Sequence, residues 1–163
     1  SMTIVVGLGE KKEDFEILKD FIKKHDLQRI TFYALKPVKG TIFKKSPSLE
    51  DYVWWIAKTR IAFPKIEIIA GLTPKRQDYV LPLMKAGANA ITKFPATKEF
   101  GTDKAKSIEK QINESGRKFI STLTDYPDVD WDKEVENLNI DTELKKEIKR
   151  KLKFYLDRIK KNL

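Results

Sequence analysis

The sequence predicts an α/β fold built on a parallel sheet, and three observations predict it. Short β-branched runs alternate four times with amphipathic stretches at helical spacing, in units of roughly 25 to 35 residues, the repeat of a βα architecture. Several runs are continuously apolar, as strands covered on both faces are. The runs end in turns rich in glycine, proline or charge, where a parallel strand hands over to its helix.

The first strand lies in Ser1-Met-Thr-Ile-Val-Val-Gly-Leu-Gly-Glu10, whose β-branched run closes in a Gly7-Leu8-Gly9 turn. Glycine there lets backbone approach a ligand at the carboxyl end of a strand, although the full Gly-x-Gly-x-x-Gly fingerprint is absent. Apolar positions at Phe15, Leu18, Phe21 and Ile22 predict a helix over 11–25. Arg29 to Leu35 reads as a second strand, followed by a loop beginning Lys36-Pro-Val-Lys-Gly-Thr41. Ser48 is placed to cap the next helix, with Asp51 supplying a carboxylate in its first turn and Pro64 closing it. Ile66 to Ala70 is the third strand, Gly71 to Pro74 its turn, and 75–85 a helix. Asn89 to Lys93 is the fourth strand; Phe94 to Thr97 is a loop and 102–115 a helix. Lys118 to Thr124 is a candidate fifth strand. A last helix from Asp141 carries Leu144, Ile148, Leu152, Tyr155, Leu156 and Ile159 on one packing face. Four βα units make either half of a TIM-type (β/α) barrel or a small doubly wound open sheet. The division expected is residues 1–115 for the sheet and 116–163 for an extension.

With 163 residues, 40% hydrophobic and 35% charged, the chain has the size and balance of one globular domain, expected in the cytoplasm. The Lys- and Glu-rich, cysteine-free composition is that of a thermophile protein. No disulfide, Cys-ligated zinc or thiolate-bound iron–sulfur cluster is available to a chain without cysteine. Its one histidine, His25, sits late in a predicted helix and reads as solvated. The formal charge of +9 is spread over the chain among acids, so neither nucleic acid nor membrane is an expected partner. Strand residues begin directly after Ser1, which suggests a tag remnant or a piece of a longer chain.

Four segments in order carry a family resemblance. Thr3-Ile-Val-Val-Gly-Leu-Gly-Glu10 resembles the fifth-strand Gly-x-Ile-x-Gly-x-x-Glu motif of radical S-adenosylmethionine enzymes, with Thr3 at the first glycine and Val5 at the isoleucine. Leu35-Lys-Pro-Val-Lys-Gly-Thr41, Trp55 to Pro64 with Ala70-Gly71, and Met84-Lys-Ala-Gly-Ala-Asn-Ala-Ile91 resemble the units that follow in biotin synthase-like members. The resemblance covers residues 3 to 100 and implies the C-terminal half of an archaeal, cofactor-biosynthetic radical enzyme barrel.

What it implies for the site is specific. Val5 gives apolar contact to the adenine of S-adenosylmethionine, Gly7 and Gly9 allow close backbone approach, Glu10 fixes the turn, and backbone at Lys36 meets the adenine edge. Tyr33, Glu67 and Lys93 are the substrate-facing candidates; Tyr33 and Glu67 replace an asparagine and an arginine of biotin synthase, which points to a different small-molecule substrate. The four-iron (4Fe-4S) cluster and its Cys-x-x-x-Cys-x-x-Cys loop belong to the missing half. No catalytic or metal-binding residue is therefore expected here, and an N-terminal half-barrel or a homo-oligomer is expected to close the sheet.

Two other readings remain. Ile91-Thr-Lys-Phe-Pro-Ala96 is similar to the Schiff-base segment of class I aldolases, which would make Lys93 a nucleophile of depressed pKa or, more plainly, a partner for Glu67. The chain is alternatively a non-catalytic scaffold or binding subunit.

Overall fold

The computed structural model describes residues 1–73, 75–92 and 94–163. Two compact units emerge, residues 1–94 with 111–118 and residues 95–110 with 119–163.

The first unit holds the sheet. Its strands are β1 (Met2–Val6), β2 (Arg29–Ala34), β3 (Glu67–Gly71) and β4 (Ala90–Thr92), all parallel and in the order β1-β2-β3-β4. Between them run α1 (Phe15–Lys24), α2 (Leu49–Ala62) and α3 (Val80–Lys85). Sequential order has a topological consequence: right-handed crossovers between neighbouring strands return on one side of the sheet. A doubly wound sheet needs a reversal of order, which this one lacks, so the open flavodoxin-like alternative is excluded.

Burial follows that geometry. Val6, Ile30, Phe32, Ala34, Ile68 and Ala70 share one face and are buried. So are Phe15, Leu18 and Ile22 of α1, Tyr52, Trp55, Ile56 and Thr59 of α2, and Val80, Leu83 and Met84 of α3. The opposite face behaves differently. Thr3 and Val5 are exposed, and Thr31, Tyr33, Ile69, Ala90 and Thr92 are half-buried. The expectation of strands covered on both faces is corrected here, because every crossover helix lies over the same side.

Local chemistry explains the element ends. Ser48 accepts a hydrogen bond from the Asp51 amide at 3.0 Å and caps α2. Arg60 of α2 donates to the carbonyls of Gly87, at 3.0 and 2.9 Å, and of Pro64 and Ile66, both at 2.8 Å. Asn89 accepts from the Ile68 amide at 2.9 Å and bonds Arg60. Gly87, at φ +108°, leaves room for that guanidinium, since a Cβ there would lie 2.5 Å from Arg60 Cγ. The Ala-Gly-Ala-Asn segment thus fastens β4 at the amino-terminal end of the sheet. Phe21, placed on the buried stripe by periodicity, is instead exposed and stacks on His25 at 4.3 Å between ring centroids.

In the second unit, α4 (Ala96–Glu99), α6 (Trp131–Glu136) and α7 (Thr142–Lys160) are joined by the first part of α5 (Asp103–Glu114). Lys149 pairs with Glu136 at 2.8 Å and with Asp132 at 3.8 Å, strapping α6 to α7. The candidate fifth strand at 118–124 is not a strand. Glu109 accepts from the Leu123 amide at 2.5 Å and the Thr124 hydroxyl at 2.7 Å, and Thr122 Oγ1 accepts from the Thr124 and Asp125 amides. Hydroxyl and carboxylate side chains have taken the donors a sheet would need. Contacts therefore group 95–110 with the C-terminal segment rather than dividing the chain at 115. The apolar stripe of α7 is only partly covered: Ile148, Leu152, Leu156 and Ile159 are half-buried, Leu144 and Tyr155 exposed.

Candidate functional site

The register brings four residues into one row near the carboxyl ends of the strands. Val5 is level with Tyr33, Tyr33 with Gly71, and Gly71 with Thr92. At the usual strand spacing the row is about 14 Å long. It crosses the half-exposed face of the sheet, where Val5 keeps 36% of its surface accessible.

Tyr33 dominates the row. Its ring lies against Gly71 so closely that a Cβ there would sit 1.9 Å from Tyr33 Cδ1. The phenol reaches across β3 to the Thr92 hydroxyl at 3.1 Å. Gly71 is thus a packing requirement of the tyrosine. Thr92, which sequence reading passed over, is the polar end of this bridge; its place at the end of a short strand was the only clue.

Beyond the row, the Gly7 bend is shaped from three sides. Gly7 and Gly9 have φ of +106° and +109°, conformations that favour glycine. Glu10 folds back to accept from the Gly7 amide at 2.5 Å and the Leu8 amide at 2.8 Å, so a carboxylate occupies the pair of converging N–H groups. On the other side a Gly7 Cβ would meet Pro47 Cδ at 2.8 Å and Leu35 Cβ at 3.1 Å. A Cβ on Gly9, by contrast, would have no neighbour within 4 Å, leaving open space at the tip. The Leu35 amide donates to the Val6 carbonyl at 2.8 Å, which carries the β1–β2 ladder up to Lys36. Lys36 itself is exposed.

Behind the sheet, the Tyr52 hydroxyl points at the carbonyls of Phe32, at 2.7 Å, and Gly71, at 3.0 Å. Burial pushes this phenol far above its ordinary pKa, opposed by the backbone at Gly71 and the charge of Arg76, so it remains a donor. Tyr52 ties the two central strands together directly beneath Tyr33 and Gly71.

Val5, Gly7, Gly9, Glu10, Tyr33 and Lys36 therefore gather at one end of the sheet. Glu67 does not join them. It is the first residue of β3 and pairs with Arg29, the first of β2, at 2.6 Å. Four residues of extended strand, about 13 Å, separate it from Gly71. Glu67 stands on the same half-exposed face as Tyr33 but at the opposite end of the sheet, so the register does not bring it to this rim. Lys93, and with it both the Schiff-base reading and the Lys93–Glu67 pair, lies outside the described residues. Among the described residues no three His, Asp or Glu side chains are grouped to hold a metal ion.

Residues 31–118, more than half of the chain, match the family described as Biotin and Thiamin Synthesis associated domain. The chain belongs to this family. The Biotin and Thiamin Synthesis associated domain is found in radical S-adenosylmethionine enzymes. Its match begins in β2, so Tyr33, Lys36 and Gly71 fall inside it and the Gly7 bend precedes it. Among related proteins, an uncharacterized protein of Methanocaldococcus jannaschii is 47% identical over 126 residues, covering 76% of this chain and 35% of that protein. The ribosomal protein uS12 methylthiotransferase RimO of Thermus thermophilus is 41% identical over 46 residues, 28% of this chain and 11% of that one. This Biotin and Thiamin Synthesis associated chain spans about a third of the length of the archaeal relative it matches.

Proposed function

We propose that this chain is the C-terminal half of a radical S-adenosylmethionine enzyme of the biotin synthase-like branch, forming the adenine side of the cofactor pocket and one wall of the substrate cavity. The observation that carries the reading is the rim itself. A positive-φ glycine bend, the backbone at Lys36 and the row from Val5 to Thr92 share one end of a parallel sheet, the end at which parallel α/β sheets place ligands.

The residues suit the nucleoside part of the cofactor. Open space at Gly9 admits close backbone approach. Val5 presents apolar surface, and the Lys36 backbone lies beyond the last ladder bond to Leu35. Glu10 holds the bend without competing for that space, because its carboxylate is already engaged with Gly7 and Leu8. The residues do not suit the cluster, since no cysteine is present to ligate it. The cluster half of the enzyme, borne by the remainder of a longer protein or by a partner chain, supplies reductive cleavage of the cofactor. The work of this chain is to bind, orient and shield. Tyr33 and Thr92 face the cavity as one hydrogen-bonded pair, able to present a donor and an acceptor to a small substrate. A sheet with a half-exposed face and two end strands is then completed by the cluster-bearing half-barrel, or by a second copy.

The test is titration of the isotopically labelled chain with S-adenosylmethionine. Amide shifts concentrated at Val5, Gly7, Gly9 and Lys36 are expected. Shifts confined to other surfaces, or none at millimolar cofactor, overturn the reading.

A further inference from the structure

Arg76 is a charged side chain with only 9% of its surface exposed, and none of the motifs above includes it. A buried guanidinium without an acid beside it is costly to maintain. Among the described residues its hydrogen bonds go to no carboxylate: Nη1 donates to the Ala34 carbonyl at 2.8 Å, and Nη2 to the Leu35 carbonyl at 2.8 Å and to Ser46 Oγ at 2.7 Å. Both carbonyls belong to the end of β2, and Ser46 belongs to the loop that leads into α2. Arg76 itself stands in the segment after β3, and its amide donates to the Thr73 carbonyl at 2.9 Å.

Those partners are next to the walls of the Gly7 bend. Leu35, whose carbonyl Arg76 holds, is one wall, and Pro47, bonded directly to Ser46, is the other. One planar side chain thus grips both segments that wall Gly7, one through the Ala34 and Leu35 carbonyls and the other through the Ser46 hydroxyl, from a residue 69 positions further along the chain.

We infer that Arg76 is a positioning residue for this rim: by clamping Leu35 and Ser46 it sets Leu35 and Pro47 against Gly7 and presents the Gly7–Gly9 and Leu35–Lys36 backbone as one preorganised surface to the adenosyl group. A guanidinium suits the task because its rigid fork holds several acceptors at fixed angles, whereas lysine offers one rotating point of charge. Preorganisation raises affinity by removing the ordering cost that a loose loop would add on binding. The inference deepens the adenosyl reading and rests on it, but the coupling of Arg76 to Gly7 is measurable without ligand.

The test compares the labelled chain with its Arg76→Gln, Arg76→Lys, Ser46→Ala and Arg60→Gln variants. In the free proteins, Arg76→Gln is expected to move the amide signals of Gly7, Leu8, Gly9 and Lys36, and Ser46→Ala to move the same signals less. With S-adenosylmethionine, Arg76→Gln is expected to weaken binding at least tenfold, with Arg76→Lys falling between it and the parent chain. Arg60→Gln, which removes the comparable guanidinium stitch at the amino-terminal end of the sheet, is expected to lower the melting temperature while leaving those amides and the affinity within twofold. Unmoved Gly7–Gly9 amides in both Arg76→Gln and Ser46→Ala overturn the inference, as does equal loss of affinity in Arg60→Gln. If Arg76→Gln fails to fold, Ser46→Ala and Arg76→Lys decide by the same signals. Movement of those amides with no cofactor binding by the parent chain supports the coupling and overturns the adenosyl reading.

Discussion

Two glycines at the rim are required for different reasons, and substitution separates them. Gly7 combines a φ of +106° with side chains on both walls, so Gly7→Ala meets strain and a clash together. A loss of about 2–4 kcal/mol in denaturant unfolding is expected, the sum of left-handed strain and overpacking. Gly71 carries no positive φ; the nearest obstacle to a Cβ is the Tyr33 ring. Gly71→Ala should therefore cost about 1–3 kcal/mol in the parent chain and much less beside Tyr33→Ala, a coupling that a double-mutant cycle reads directly. Equal costs in both backgrounds would show that the tyrosine is not what Gly71 accommodates. Tyr52→Phe leaves the Phe32 and Gly71 carbonyls without their shared donor. The expected cost is about 1–3 kcal/mol. The glycine bend, Glu10 and the rim backbone were legible as residues because positive-φ turns have few substitutes. Thr92 and Arg76 were not, since a lone threonine or arginine has no local pattern.

At the scale of elements, side-chain caps fix the starts of α2, α6 and α7. Ser48→Ala removes the hydrogen bond to the Asp51 amide and should lower stability by about 1 kcal/mol, measured by chemical denaturation. In the second unit, the Lys149–Glu136 pair strapping α6 to α7 has a definite pH window. The hydrogen bond and charge of Lys149 depress the Glu136 pKa, so its contribution is present above the ordinary carboxylate range and lost as pH falls through the depressed value. The same bond raises the Lys149 pKa, so the contribution is fully present below its ordinary value and lost only as pH climbs past the raised one. Protection of α6 amides from exchange, corrected for intrinsic rates, is thus expected to be flat from roughly pH 5 to 10 and to fall below pH 4. Fading of protection near neutral pH would assign the strap to another contact. Sequence periodicity found α1 and α7, whose lengths let a stripe recur, while the Ser48 cap and Pro64 bounded α2. It passed over α4 and α6, of four and six residues, which are too short to show one. It also read 118–124 as a strand from composition, where Glu109 and Thr122 had captured the amides.

For the whole molecule, the telling feature is the asymmetry of the sheet. One face is packed under three helices and the other is half-exposed, with β1 and β4 as the two end strands. A surface of this kind calls for a cover. Sedimentation of the chain alone and with the part of its archaeal relative outside the matched region should reveal a homo-oligomer or a stable heteromer, with exchange protection gained at Thr3, Val5 and Thr31. A monomer that remains unprotected at those residues in both experiments would remove the closure model. Among the described residues no helix is long and apolar enough to cross a membrane.

Taken alone, the sequence determined the kind of each long element, the parallel βα repeat, the glycine bend and the absence of cluster ligands. These depend on local period, on backbone freedom at single residues and on composition, all properties of short stretches of chain. Tertiary structure decided which side chains meet. Strand order chose the sequential sheet over the doubly wound one, and register aligned Val5, Tyr33, Gly71 and Thr92. The start of β3 carried Glu67 to the far end, and Arg76 reached back 42 residues to the Ala34 carbonyl. Each outcome depends on how separate strands are set beside one another, and one residue of slip along a strand would turn every side chain to the opposite face.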